Sequence, residues 1–295
     1  MIFLKLGGSL ITDKTQDNRV RWEVVKRLAQ EIAQWRADSI TQSKAPLLIG
    51  HGSGSFGHAA AKKYGTRAGV RDAAGWRGFA DVSVAALRLN RIVADALHEA
   101  SVPVVSVPPS ASVLCADGVI QHMDLNLIAV SLARGLVPLV MGDVAIDTVR
   151  GGTIVSTEEV FSYLAQHFPV QRVLLAGETE GVFERFEGLA GFEGLEGSQT
   201  FERSNLMNLR NLPNLPTPSL ILPKITPANW DAIRAGIGGS RGADVTGGMA
   251  AKVRDMLTLV QAHPAMQIQI FSGLQPNALT RVLNSETLGT LIASR

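Results

Sequence analysis

The stretch Gly50-His51-Gly52-Ser53-Gly54-Ser55-Phe56-Gly57-His58 follows directly on the apolar run Pro46-Leu47-Leu48-Ile49. Four glycines, two serines and two histidines in that place predict a strand, a backbone-rich turn and then a helix. Glycines let the main chain take positive φ and approach a ligand closely, and the first N–H groups of the following helix lack partners within it. An anion suits such a turn. A ligand-free strand-to-helix turn is the plain alternative for any single Gly-rich loop, but His58 brings a donor for which an empty turn has no use.

Two further stretches have the same character. Gly7-Gly8-Ser9 follows the short apolar strand 2–6, and Asp244-Val245-Thr246-Gly247-Gly248-Met249 enters a helix over 250–262. Lys5 lies inside the first strand, where a cation is costly unless it emerges at the carboxyl end to meet a counter-charge such as a phosphate. The alternative is an edge lysine reaching solvent. Lys252 falls in the first turn of its helix and opposes the helix dipole unless something negative shares the site. The apolar strand 172–176 ends in Gly177-Glu178-Thr179-Glu180-Gly181. Its two carboxylates could hold Mg²⁺, position a lysine or contact a nucleotide, or simply face solvent.

The elements that must position these turns are legible from periodicity. Val24, Val25, Leu28, Ile32 and Trp35 make an amphipathic helix of 21–36, and Val82, Ala86, Leu89, Val93 and Leu97 form the apolar stripe of a long helix over 79–100. Residues 65–78, with Trp76, read as a polar connection before it. Strands are expected at 102–107, 137–141, 172–176, 267–271 and 289–292, with a hairpin over 144–155. A helix over 158–167 is capped by Ser156 or Thr157. From 187 to 222 the sequence turns to Gly, Asn, Pro and Ser without periodicity, which predicts a long loop or insertion. Alternating strands and helices predict an α/β fold, a three-layer αβα sandwich with a mainly parallel central sheet.

In an open α/β sheet the turns at the strands' carboxyl ends gather, so the loops at Gly7, Gly52 and Gly247 would meet there. Two phosphate groups brought together at that place would be a phosphoryl donor and its acceptor. The chain has no Gly-x-x-x-x-Gly-Lys-Ser/Thr and no His-Arg-Asp with Asp-Phe-Gly, so neither P-loop nor protein-kinase machinery applies.

The bulk numbers set limits. With 295 residues, 46% of them hydrophobic, the chain can bury a large core as one domain or two lobes. A net charge of +2 is no nucleic-acid footprint. The single cysteine, Cys115, excludes an intramolecular disulfide and fits a reducing compartment. Lys5 breaks the apolar start far short of a signal segment or membrane span, so a cytoplasmic protein free of the membrane is expected.

On these residues the chain resembles the amino acid kinase superfamily, and within it the isopentenyl phosphate kinases. The matching residues are Lys5 through Lys14, Gly52 to His58, Gly78-Phe79-Ala80, Arg88-Leu89-Asn90, Gly135 to Pro138, Gly142-Asp143, Asp244 to Met249 with Lys252, and Gly289-Thr290. The resemblance implies one amino acid kinase domain over 1–295, with an acceptor-binding lobe at 1–170 and an ATP-binding lobe at 171–295. It implies transfer of the γ-phosphoryl group of ATP, with Mg²⁺, to the small molecule isopentenyl phosphate, and a homodimer.

By the same resemblance Lys5 and Lys14 neutralise the moving phosphoryl group, Lys252 supports the nucleotide phosphates, and His58 donates to the acceptor's phosphate beside Ser53, Gly54 and Thr157. Gly7, Gly8, Ser9, Gly54, Glu178, Glu180, Gly181 and Gly248 join the lysines at the nucleotide. Phe79, Val82 and Ala86 would line the pocket for the hydrocarbon tail, although core packing alone explains them too. Two departures stand out: Ser156-Thr157-Glu158 where relatives usually have Ser-Gly-Asp, and Glu178-Thr179-Glu180-Gly181-Val182 where they have Asp-x-Asp-Gly-Val. The rival readings are a kinase for another small phosphate or a phosphonate such as fosfomycin, and a nucleotide-binding protein without catalysis.

Overall fold

The computed structural model describes residues 1–13, 15–38, 45–184, 220–237 and 248–295; the side chains of 58–60 also lie outside the description. In chain order the first elements are β1 (Ile2–Leu6), α1 (Gly8–Ile11), α2 (Trp22–Ala37), β2 (Leu47–His51), α3 (Gly54–Tyr64) and α4 (Ala73–Glu99). Then come β3 (Val104–Ser106), β4 (Leu114–Ala116), β5 (Val119–His122), α5 (Asn126–Ala133), β6 (Val137–Met141), β7 (Asp143–Asp147), β8 (Gly151–Val155), α6 (Thr157–Ala165) and β9 (Arg172–Gly177). The remainder holds β10 (Phe183–Glu184), β11 (Leu220–Ile221), β12 (Lys224–Ile225), α7 (Pro227–Ile233), α8 (Gly248–Ala262), β13 (Gln267–Ser272), α9 (Ala278–Leu283) and β14 (Thr290–Ile292). Among the described residues no helix is long and apolar enough to cross a membrane.

Two compact units divide the chain. The first holds Met1–Glu178 and Ser272–Glu286, the second Thr179–Phe271 and Thr287–Arg295. In the first unit β9, β1, β2, β6 and β3 lie side by side in that order, all parallel. Their near-continuous apolar runs, such as Leu47-Leu48-Ile49, are buried, as a sheet covered by helices on its faces requires. The αβα sandwich on a mainly parallel sheet that the alternation predicts is thus the fold found. A smaller four-stranded sheet, β5-β4-β7-β8, accompanies it. In the second unit β14 pairs with β12 in parallel and with β13 antiparallel.

Side-chain chemistry explains why β9 and 272–286 belong to the first unit, although the sequence reading set a lobe boundary at 170. β9 pairs with β1 along its length. α9 starts at Asn277, whose left-handed backbone leaves it without a cap of its own. The buried Glu31 of α2 supplies one, accepting the N–H groups of Asn277 (3.2 Å) and Thr280 (3.1 Å). At the other end Arg172 of β9 donates to the carbonyls of Val282 (2.6 Å) and Leu283 (3.3 Å). An acid at the N-terminus and a guanidinium at the C-terminus both suit the helix dipole.

Two boundaries differ from the sequence reading. α4 begins at Ala73, so Trp76 and Gly78 are helical rather than part of a connection. Asp72 caps this start by accepting the Gly75 N–H at 2.7 Å, and Gly78 is a packing glycine: a Cβ there would lie 2.2 Å from the Tyr64 ring of α3. The expected loop over 187–222 also ends earlier, because Leu220 and Ile221 form β11, antiparallel to β10, and Leu222 is buried. Residues 185–219 of that stretch lie outside the described residues.

Candidate active site

Two glycine turns meet at the carboxyl ends of the neighbouring strands β1 and β2. The Gly52 N–H donates to the Leu6 carbonyl (3.0 Å), and that of Gly7 donates across to Ala176 at the end of β9 (2.8 Å). The backbones touch so closely that a Cβ on Gly8 would lie 2.4 Å from the Gly54 nitrogen, and one on Gly52 would lie 2.8 Å from the Gly8 nitrogen. Gly54 itself has φ +51°, which favours glycine there a second time. The turns at Gly7–Gly8 and Gly52–Gly54 are therefore brought together.

Lys5 occupies the strand end with only 13% of its side chain exposed, and its Nζ is ion-paired to Glu158 Oε1. The counter-charge that its place in a strand demands is thus in part a carboxylate of this chain, delivered from the first turn of α6. That helix starts with a capping box, in which Ser156 accepts from the Glu159 N–H (3.1 Å) and Glu159 accepts from the Ser156 N–H (2.6 Å). Thr157 is buried, and its hydroxyl donates to the His51 carbonyl at 2.6 Å. Gly50 makes room for it, since a Cβ there would come within 2.5 Å of the Thr157 methyl.

His51 is buried at the turn that begins with Gly52. Its Nδ1 lies 3.1 Å from the Gly52 carbonyl and its Nε2 lies 3.1 Å from Asn90 Nδ2. A carbonyl can only accept, so Nδ1 carries the proton and Nε2 accepts from the amide. Burial pushes the ring's pKa down to about 4, with the Lys5 charge acting the same way against the Gly52 hydrogen bond, so the ring is neutral. Beside it, the fully buried Thr12 hydroxyl donates to the Gly8 carbonyl (2.7 Å) and accepts the Ser55 N–H (2.9 Å).

Of the acidic turn, Glu178 is ion-paired to Arg21 at 2.7 Å, and its carbonyl accepts from Ser272 Oγ at 3.2 Å. In the second unit Glu180 is exposed, and Gly181 packs on Thr290, whose hydroxyl accepts the Val182 N–H at 2.8 Å. Gly248 opens α8 with φ +74°, two residues before the start expected from the sequence, and Lys252 is the helix's fifth residue, partly exposed. Lys14, the His58 side chain and residues 238–247 fall outside the described residues. His58 is nevertheless one helical turn from Gly54 along α3.

On α4, Val82 and Ala86 are buried, and Phe79 packs edge-on to Trp76, its ring filling the space beside Gly152. The same stripe carries Asn90 to His51. Thr12, His51, Asn90 and Arg21 were not picked out from the sequence as site residues. One signal was there for Asn90, because an amide in an otherwise apolar row needs a buried partner.

The family model for the amino acid kinase family matches residues 1–189. The chain belongs to the amino acid kinase family. An isopentenyl phosphate kinase of Methanothermobacter thermautotrophicus is 30% identical over the whole of both chains. One of Haloferax volcanii is 33% identical over 99% of this chain and 98% of its own. An X-ray structure of isopentenyl phosphate kinase superposes with a TM-score of 0.73 and 27% identity, over 99% of this chain and 100% of the other. Kinase chemistry thus comes with the amino acid kinase family, and these full-length relatives place the chain among its isopentenyl phosphate kinases.

Proposed function

We propose that the chain transfers the γ-phosphoryl group of ATP to isopentenyl phosphate, giving isopentenyl diphosphate. The observation that carries this reading is the backbone contact between the turn at Gly7–Ser9 and the turn at Gly52–Gly54, on adjacent parallel strands with Lys5 at their base. The first turn takes phosphates of the donor. The second takes the phosphate of the acceptor, through the amides of Ser53 and Gly54 and through His58.

Phosphoryl transfer asks for position and charge neutralisation more than for covalent help. Lys5 and Lys14 stabilise charge on the moving group, and Lys252 holds the nucleotide's phosphates together with Gly248. Glu158 keeps Lys5 at the strand end rather than folded back on other groups. No general base is needed, because the acceptor's phosphate is already ionised. Among the described residues no three His, Cys, Asp or Glu side chains gather into a metal cage, and Glu178 is occupied by Arg21. Mg²⁺ enters as part of the substrate MgATP, held mainly by phosphate oxygens.

The enzyme works in the cytoplasm as a homodimer. Leu114 and Ile146, exposed neighbours across β4 and β7, offer a second copy an apolar face to cover. Labelled ATP offered with isopentenyl phosphate, dimethylallyl phosphate and fosfomycin in turn tests the proposal. Preferred turnover of isopentenyl phosphate is expected. Turnover of fosfomycin alone, or of none while ATP still binds, would overturn it.

A further inference from the structure

The contact between the two glycine turns is not made by backbone alone. Thr12 lies just past α1, fully buried, and its one hydroxyl bridges the turns: it donates to the Gly8 carbonyl at 2.7 Å and accepts the Ser55 N–H at 2.9 Å. A hydroxyl can do both at once, whereas an apolar side chain of the same shape can do neither. Gly54 comes so near that a Cβ there would lie 2.1 Å from the Thr12 oxygen. The turns are therefore held at a fixed spacing by one buried side chain. Because Thr12 takes up the Ser55 N–H, that amide is spent on the turn-to-turn link.

We infer that Thr12 is a positioning residue that sets the distance between donor and acceptor phosphates. The inference rests on the proposed function, because it takes the turn at Gly8 as the donor's and the turn at Gly54 as the acceptor's. Each turn keeps its own ligand contacts when the bridge is lost, so binding of either substrate alone changes little. The spacing across which the phosphoryl group moves does change, and a displacement of about 1 Å at reacting atoms can cost on the order of 10²-fold in rate. The loss falls on kcat.

The test compares Thr12→Val, which keeps shape without the hydroxyl, with Thr12→Ser, which keeps the hydroxyl. Both are read by kcat, by KM for ATP and for isopentenyl phosphate, by thermal unfolding and by amide hydrogen exchange at Ser55. The valine variant is expected to stay folded, to lose on the order of 10²-fold in kcat with both KM values within about three-fold of the parent, and to exchange its Ser55 amide faster. Serine is expected to restore kcat and protection. A valine variant with unchanged kcat, or with both KM values raised and kcat kept, overturns the inference, as does a serine variant no better than valine. Should valine disturb the fold, Thr12→Ala, which cannot clash, takes its place. If alanine also unfolds while serine does not, Thr12 is structural only and the inference fails. Absence of turnover by the parent protein would instead refute the proposed function, and Ser55 exchange would still judge the bridge.

Discussion

Glu158 Oε1 is ion-paired with Lys5 Nζ at the carboxyl end of the first strand, and both side chains are four-fifths or more buried. The pair stands where the turn at Gly7 begins, so it governs the direction of the one described cation at the base of both turns. Glu158→Gln should therefore lower kcat by roughly ten- to a hundred-fold, the equivalent of about 1.5–3 kcal/mol for one charge-assisted hydrogen bond. KM for isopentenyl phosphate should move far less. Steady-state kinetics on the variant check this, and an unchanged kcat would show that the carboxylate only balances charge.

His58 follows Gly54 by one turn on α3, which sets its Cα on the same side of the helix as Gly54. His58→Ala and His58→Gln should raise KM for isopentenyl phosphate much more than KM for ATP. The loss of one hydrogen bond to a charged group corresponds to about 1.5–3 kcal/mol. Equal effects on both substrates would remove His58 from the acceptor site.

The neutral His51 ring makes stability depend on acid. Its folded pKa of about 4 lies below the ordinary histidine value, so between pH 6.5 and 4 the unfolded chain takes up a proton that the folded chain refuses. Stability present at neutral pH is then lost as the pH falls through that window, by up to about 3 kcal/mol. Urea midpoints measured from pH 7.5 down to 4.5 should fall more steeply for the parent than for His51→Gln. Parallel curves would mean that the ring is not held neutral.

The glycine turns, Lys5 and the apolar strands were readable because each obeys a local rule: a glycine where chain meets chain, a cation at a strand's end, an apolar run where both faces are covered. What the sequence hid was pairing between distant segments. Nothing near Lys5 announces Glu158, which arrives 153 positions later on α6. Gly78 looked like loop because glycine is rare inside helices, yet its missing Cβ is what admits the Tyr64 ring. Thr12 acts through two hydrogen bonds to backbone groups, and His51 through one to the backbone and one to the Asn90 amide, and such bonds leave no periodic trace.

The insertion is closed at its base by the antiparallel pair β10 and β11, in which Glu184 faces Leu220. Chain ends held side by side suit a two-residue Asn-Gly turn. Replacing residues 185–219 with that dipeptide should leave a folded protein whose preference between isopentenyl and dimethylallyl phosphate is unaltered. A switch in the ratio of kcat/KM for the two acceptors would place the insertion at the acceptor pocket.

The last prediction concerns the length of the acceptor's tail. Along α4, Asn90, which is hydrogen-bonded to His51, is preceded by Ala86, Val82 and Phe79 on or beside one stripe. At 5.4 Å per turn, Ala86 lies about one turn from Asn90, Val82 about two and Phe79 about three. A tail extending from the turn along this helix would meet small Ala86 first and Phe79 last, where the ring packs on Trp76 beside Gly152. Phe79→Ala or Val82→Ala should then improve use of ten-carbon geranyl phosphate, while Ala86→Phe should impair even the five-carbon substrate. Each buried methylene contributes about 0.8 kcal/mol, enough to shift kcat/KM visibly. Because Ala86 is only 2% exposed, its enlargement also strains the core by about 1–3 kcal/mol, and thermal unfolding must confirm that the variant is folded. If all three folded variants keep the parent's ratio of geranyl to isopentenyl phosphate turnover, this stripe is core alone and the tail runs elsewhere.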